Sequence, residues 1–127
     1  MKNSAAPATH TPIIALDLGT NTGWATRSPD GTISAGLLKT RGGSKHHPGQ
    51  RFLDFEAAIT DMIVQFQGAT GHIDGSARPI LAHEDVVAHR GVIAAHIYGG
   101  FEAMVSVLAL KHGWDLKPIP VCTINMA

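Results

Sequence analysis

At 127 residues, 44% hydrophobic and 16% charged with no low-complexity tract, the chain suits one packed domain, is too short for two, and lacks the composition of a disordered protein. Ten basic residues balance ten acidic ones, so whole-chain charge gives no general reason to expect a nucleic-acid partner. The lone cysteine, Cys122, excludes an intramolecular disulfide, and the polar opening MKNSAAPATHTP has no secretory h-region. A cytoplasmic protein is expected. The densest apolar run, residues 12–18, is strand-sized, well short of the ~20 residues that span a bilayer, so no membrane association is expected.

Residues 1–11 are small and polar and read as a disordered lead-in, leaving one domain over residues 12–127. Ile13-Ile14-Ala15-Leu16 is a β-branched apolar run that reads as a buried strand. The glycines of Asp17-Leu18-Gly19-Thr20-Asn21-Thr22-Gly23 then mark a tight turn into a second strand. Pro29-Asp30-Gly31 is a turn, proline fixing φ and glycine allowing φ > 0, and residues 32–40 read as a third strand.

From residue 50 to 66, Phe52, Phe55, Ile59, Met62, Ile63 and Phe66 recur at spacings of three and four, the stripe of a helix lying on a core. A turn-rich stretch from Gly68 to Ala77 follows, and residues 79–84 read as a strand ending on Glu84. Residues 92–112 form a second helix with Ile97, Phe101, Met104, Val105 and Leu108 on one face, and Gly113 caps its end. Residues 116–121 read as a last strand, which Pro118 and Pro120 place at a sheet edge. The order strand, strand, strand, helix, strand, helix, strand makes an α/β fold with a mixed five-stranded sheet flanked by helices.

Two acidic residues end apolar strands, Asp17 and Glu84. An ionised carboxylate at such a position is costly unless paired or bound to a cation. Two of them converging on one sheet edge suit a Mg²⁺ or Mn²⁺ ion, which takes one or two carboxylates together with substrate phosphates. The bland alternative is two solvated strand ends. Between Asp30 and Asp54 no acidic residue occurs, while Lys39, Arg41, Lys45 and Arg51 fall there. This segment is either a solvated surface or a set of phosphate contacts, and His89 and Arg90 beyond Glu84 stand in the same position. His96 and Tyr98 are expected to pack or cap, and Trp24 and Phe101 to be core. Of eight histidines only His46 and His47 adjoin, so no zinc site is expected.

The segment Ile14-Ala15-Leu16-Asp17-Leu18-Gly19-Thr20-Asn21-Thr22-Gly23-Trp24-Ala25 resembles the first hairpin of the RuvC family of Holliday junction resolvases. His83-Glu84-Asp85-Val86-Val87-Ala88-His89-Arg90-Gly91 and Ala94-Ala95-His96-Ile97-Tyr98-Gly99-Gly100-Phe101 are similar to the second acidic strand and following helix of phage-type RuvC-like nucleases. With Ile119-Pro120-Val121-Cys122-Thr123-Ile124 the match runs in order over residues 13–124. The resemblance implies a ribonuclease H-like fold and divalent-metal-dependent cleavage of branched DNA in recombination and repair. It also implies Asp17 and Glu84 as the first two catalytic acids and metal ligands, and a homodimer. Family members continue past the Thr-Ile position into a basic loop and a helix bearing another acidic pair, for which Asn125-Met126-Ala127 offers no counterpart. On this reading the domain is C-terminally short, and a non-catalytic DNA-binding module is the alternative. A third reading takes Asp17-Leu18-Gly19-Thr20-Asn21-Thr22-Gly23 as similar to the first phosphate loop of actin-like ATPases and sugar kinases. No second phosphate loop or adenosine motif accompanies it, so no nucleotide cofactor is expected.

Overall fold

The elements follow one another in the predicted order in the computed structural model, which describes residues 10–70, 78–86, 89 and 91–120. Strands β1 (Ile13–Asp17), β2 (Asn21–Arg27) and β3 (Ile33–Lys39) form an antiparallel meander. Helix α1 (Gln50–Thr70) leads to β4 (Ile80–Asp85), and helix α2 (Val92–His112) leads to β5 (Asp115–Pro120). The two later strands add parallel to β1 and to each other, giving the order β3-β2-β1-β4-β5. The proline-bearing β5 is an edge strand, as expected of a strand that cannot donate at two positions.

Both helices cover the same face of the sheet. Ile14 and Leu16 of β1 and Leu81 of β4 join Phe55, Ile59 and Ile63 of α1 and Phe101, Val105 and Leu108 of α2 in one core. The ring of Phe101 meets those of Phe52 and Phe55 edge-on, with centroids 5.0 Å apart in each pair, a favoured aromatic geometry. Strand alternation sends Ile13, Ala15 and Asp17 of β1, and their parallel neighbours Ile80 and Ala82 with Glu84 of β4, to the face away from the helices.

Most boundaries fall within a residue of expectation, and three are instructive. Helix α1 runs to Thr70, past Gly68, because one glycine costs a helix only about 1 kcal/mol and no proline stops it. Strand β4 continues one residue beyond Glu84 to Asp85, and β5 starts at Asp115, whose N–H donates to Pro79 O at 2.8 Å. Of the expected lead-in, residues 1–9 lie outside the described residues. His10 and Thr11 are tied to the meander, His10 N donating to Pro29 O at 3.2 Å and Arg27 Nη2 donating to Thr11 O at 3.3 Å. Residues 121–127, with Cys122 and the Thr123-Ile124 stretch, also lie outside.

One helix qualifies the reading of the apolar runs. Helix α2 is long and apolar enough to cross a membrane by length and composition alone. His96 and Glu102 interrupt its apolar run without outweighing it. In the fold this helix lies against the sheet, with Phe101, Val105, Leu108 and Ala109 buried.

Candidate functional site

The sheet brings Asp17 and Glu84 to one edge. Strands β1 and β4 are parallel and paired through Leu16↔His83, and the next residue of each strand is the acid. Two carboxylates therefore stand side by side at the C-terminal ends of adjacent parallel strands and on the same face. This is where open α/β sheets commonly bind ligands. Asp17 is exposed and Glu84 half-buried. Opposite Asp17 on β2 is Gly23, so no side chain crowds the carboxylate from that strand. Asp85, next along β4, alternates to the other face.

The backbone beneath each acid is braced. After Asp17 the chain turns through Gly19 and Thr20, and the buried Thr22 hydroxyl donates to Gly19 O at 2.6 Å. The N–H and hydroxyl of Thr40, at the end of β3, both donate to Thr20 O, at 2.9 and 2.8 Å. Arg51 Nη1, from the first turn of α1, donates to Thr20 Oγ1 at 3.1 Å. At Glu84 the brace comes from α2. The Tyr98 hydroxyl donates to the Glu84 carbonyl oxygen and accepts from Val86 N at 3.1 Å. The buried His83 places Nδ1 3.0 Å from the same carbonyl and 3.5 Å from the Tyr98 hydroxyl, with the proton on Nδ1 in the tautomer that donates to Glu84. The His89 ring leans on the Tyr98 ring at a centroid distance of 4.8 Å. Burial raises the Tyr98 hydroxyl above its ordinary pKa, keeping it a neutral donor. Tyr98 was expected only to pack or cap; it clasps the end of β4 around Glu84, just before the chain leaves the sheet after Asp85.

The donor set fits a hard divalent cation: two carboxylates at a solvent-facing edge can hold one Mg²⁺ or Mn²⁺ with water or phosphate completing the shell. Among the described residues no three histidine, cysteine or acidic side chains group closely enough to hold an ion by themselves.

The basic residues divide. Lys39, opposite Asn21 at the end of β3, stands at the same sheet edge as Asp17. Lys45 is exposed in the β3–α1 connection, and Arg51 opens α1. Arg41 instead forms a two-pronged ion pair with Asp54, Nε to Oδ2 at 3.0 Å and Nη2 to Oδ1 at 2.8 Å, with its own N–H to Oδ2 at 2.8 Å. Arg41 holds the Asp54 carboxyl well below the usual carboxylate range, with help from Gln50. The charge of Arg41 is thus largely neutralised in place. Arg90 lies outside the described residues.

Neither a protein-family model nor a curated protein matches the sequence. Solved structures do match the fold. Thermus thermophilus RuvC in complex with Holliday junction substrate superimposes with a TM-score of 0.69 at 17% identity, covering 92% of this chain and 69% of RuvC. A second T. thermophilus RuvC structure gives 0.58 at 20% identity, with 87% and 64% covered. The chain has the RuvC fold. It spans about two thirds of the RuvC chain, and Asp17 and Glu84 both fall in the RuvC-like sheet built by β1 and β4.

Proposed function

We propose that the protein is a divalent-metal-dependent endonuclease of the RuvC type that hydrolyses phosphodiester bonds in branched DNA. The observation that carries this reading is the pairing of Asp17 with Glu84 at neighbouring parallel strand ends of a RuvC fold. Asp17 and Glu84 would hold Mg²⁺ or Mn²⁺; when bound, the cation supplies Lewis-acid stabilisation of charge developing on the phosphate. Thr22, Thr40 and Arg51 fix the Asp17 turn, and Tyr98 with His83 fixes the backbone of Glu84, so both carboxylates are preorganised. Lys39, Lys45, Arg51 and His89 contact phosphates and set the position of the duplex arms. Arg41 contributes weakly because Asp54 is its partner, and Arg90 is assigned to the same surface from sequence. The resemblance to phage-type nucleases supports a role in DNA recombination or repair, and the single cysteine suits a cytoplasmic setting. Two copies, joined through α2, would make the two symmetric cuts a four-way junction requires.

A second reading is favoured by one observation: with no third metal-binding side chain grouped at the site among the described residues, the module could bind branched DNA without cutting it. Both readings are tested on a synthetic four-way junction with Mg²⁺ or Mn²⁺. Cleavage that falls at least about a hundredfold in Asp17→Asn and Glu84→Gln, as loss of several kcal/mol of metal stabilisation implies, is the expected result. Tight junction binding with no cleavage under either metal would select the non-catalytic module.

A further inference from the structure

Strands β3 and β4 both leave the sheet at the edge that carries Asp17 and Glu84, so α1 and α2 both begin there. Between their first turns lies a cavity of about 220 Å³ lined by Gly43, Ser44, Pro48, Arg51, Phe52, His96 and Ile97. We infer that this cavity receives one unstacked nucleobase of the DNA strand passing over the two acids. The inference rests on the DNA-cleavage reading above and adds to it a base-binding subsite.

The cavity walls are fixed by close packing. A side chain at Gly43 would come within 2.8 Å of Pro48 O and 3.2 Å of Arg51 Nε, so the β3–α1 connection folds over the arginine only because residue 43 is glycine. A side chain at Gly100 would collide with the Phe52 ring, so α2 makes room for that ring, and Phe101 holds it edge-on. The chemistry of the lining is specific. Phe52, Ile97 and Pro48 give an apolar floor, as the faces of a planar base require, while Arg51, His96 and Ser44 offer polar groups for its acceptor-bearing edge. No acidic residue lines the cavity, and no ion pair engages Arg51 among the described residues. The volume is below the roughly 300–1,000 Å³ of pockets for drug-sized ligands, which suits a single base. Position links the cavity to the acids: Arg51 is bonded to Thr20, three residues beyond Asp17, so the cavity opens at the end of the sheet where both carboxylates stand.

The test uses the full chain with Asp17→Asn as the cleavage-silent background and four-way junctions carrying 2-aminopurine at successive positions around the branch point. Binding is followed by anisotropy and base unstacking by 2-aminopurine fluorescence. At one position the fluorescence is expected to change several-fold on binding. The change should be lost in His96→Trp, which fills the cavity from an exposed position on α2, and junction affinity should fall about five- to tenfold in Arg51→Gln, in line with the loss of one bound base. Circular dichroism and thermal melting check that both variants fold. Junction binding with no 2-aminopurine response at any position, or a response that survives His96→Trp, overturns the subsite while leaving the DNA reading intact. Weaker binding in Arg51→Gln alone, with a silent fluorophore, leaves Arg51 as the phosphate contact of the DNA reading and nothing more, and also overturns the subsite. Absence of any junction binding by the parent protein removes the DNA reading and the subsite together.

Discussion

Tyr98→Phe removes one oxygen and keeps the ring, which isolates what that oxygen does for Glu84. The hydroxyl serves the Glu84 carbonyl and the Val86 amide together, and each partner left unsatisfied costs on the order of 1 kcal/mol. The variant is expected to lose about 1–2 kcal/mol of stability by denaturant unfolding. Because outer-shell partners of metal ligands typically affect affinity 10–100-fold, Mn²⁺ binding by calorimetry is expected to weaken about tenfold. Unchanged Mn²⁺ affinity would make Tyr98 a structural cap alone. Asp54 carries a pH signature. Arg41 depresses its folded-state pKa, so its stabilising contribution is complete above the ordinary carboxylate value of about 4 and is lost as pH falls through the lower folded value. The gap in melting temperature between wild type and Asp54→Asn is expected to be constant above pH ~5 and to close on further acidification. The gap should also shrink in high salt, since the pair is exposed. The placement of the two acids at strand ends was legible in the sequence because an apolar strand that ends on a carboxylate is a local pattern. The Tyr98 clasp spans 12 to 15 residues and depends on how α2 is rotated on the sheet, which no local pattern encodes. The Arg41–Asp54 pair was hidden by the same reading that found the cationic segment, whose end was set at the very aspartate that neutralises it.

At the scale of elements, the neighbouring glycines of α2 separate intrinsic propensity from packing. Both cost the helix about 1 kcal/mol relative to alanine, yet their surroundings differ. An added Cβ at Gly99 meets nothing within 4 Å, while one at Gly100 meets the Phe52 ring. Gly99→Ala is expected to stabilise by about 1 kcal/mol. Gly100→Ala forces the ring to move at an overpacking cost of about 1–3 kcal/mol, which exceeds the propensity gain, so it is expected to destabilise. Thermal or urea unfolding of the two variants decides this, and equal effects of like sign would show that Phe52 yields freely. The limits of α2 were readable because Gly91 precedes and Gly113 ends its periodic stretch, the latter in the left-handed conformation with its N–H turned back to Leu110 O at 3.4 Å. The end of α1 was not readable, since Gly68 signals a turn by composition but not strongly enough to impose one. The edge position of β5 followed from its two prolines, which leave those positions without a donor for a further strand.

For the whole molecule, α2 poses a problem that its buried side does not solve. Phe101, Val105, Leu108 and Ala109 face the sheet, yet Val92, Ile93, Val107 and Leu110 are exposed, Ile93 by 77% and Leu110 by 86%. At about 100° per residue these four fall within roughly 100° of one another, on the side of the helix away from the sheet. These apolar residues form two patches near the two ends of the helix, with the exposed His96, Gly99 and Ala103 between them on the same side, and a helix apolar on its outer as well as its buried side marks an interaction surface. The sequence reading missed the patches because it sought one buried face and found it. The occupant we assign is α2 of a second copy, because cutting two strands of a four-way junction symmetrically needs two Asp17–Glu84 sites in one complex. Leu110→Arg tests this assignment. An exposed substitution of this kind changes folding stability by no more than about 0.5 kcal/mol, but a two-fold interface meets the buried charge twice. Sedimentation velocity at micromolar concentration is expected to show a dimer for the wild type and a monomer for the variant. On a supercoiled plasmid bearing a cruciform, the wild type should give linear product from paired cuts, while the variant accumulates nicked circles. A monomeric wild type would remove the α2 pairing, and linear product from a monomeric Leu110→Arg would show that paired cutting does not need it.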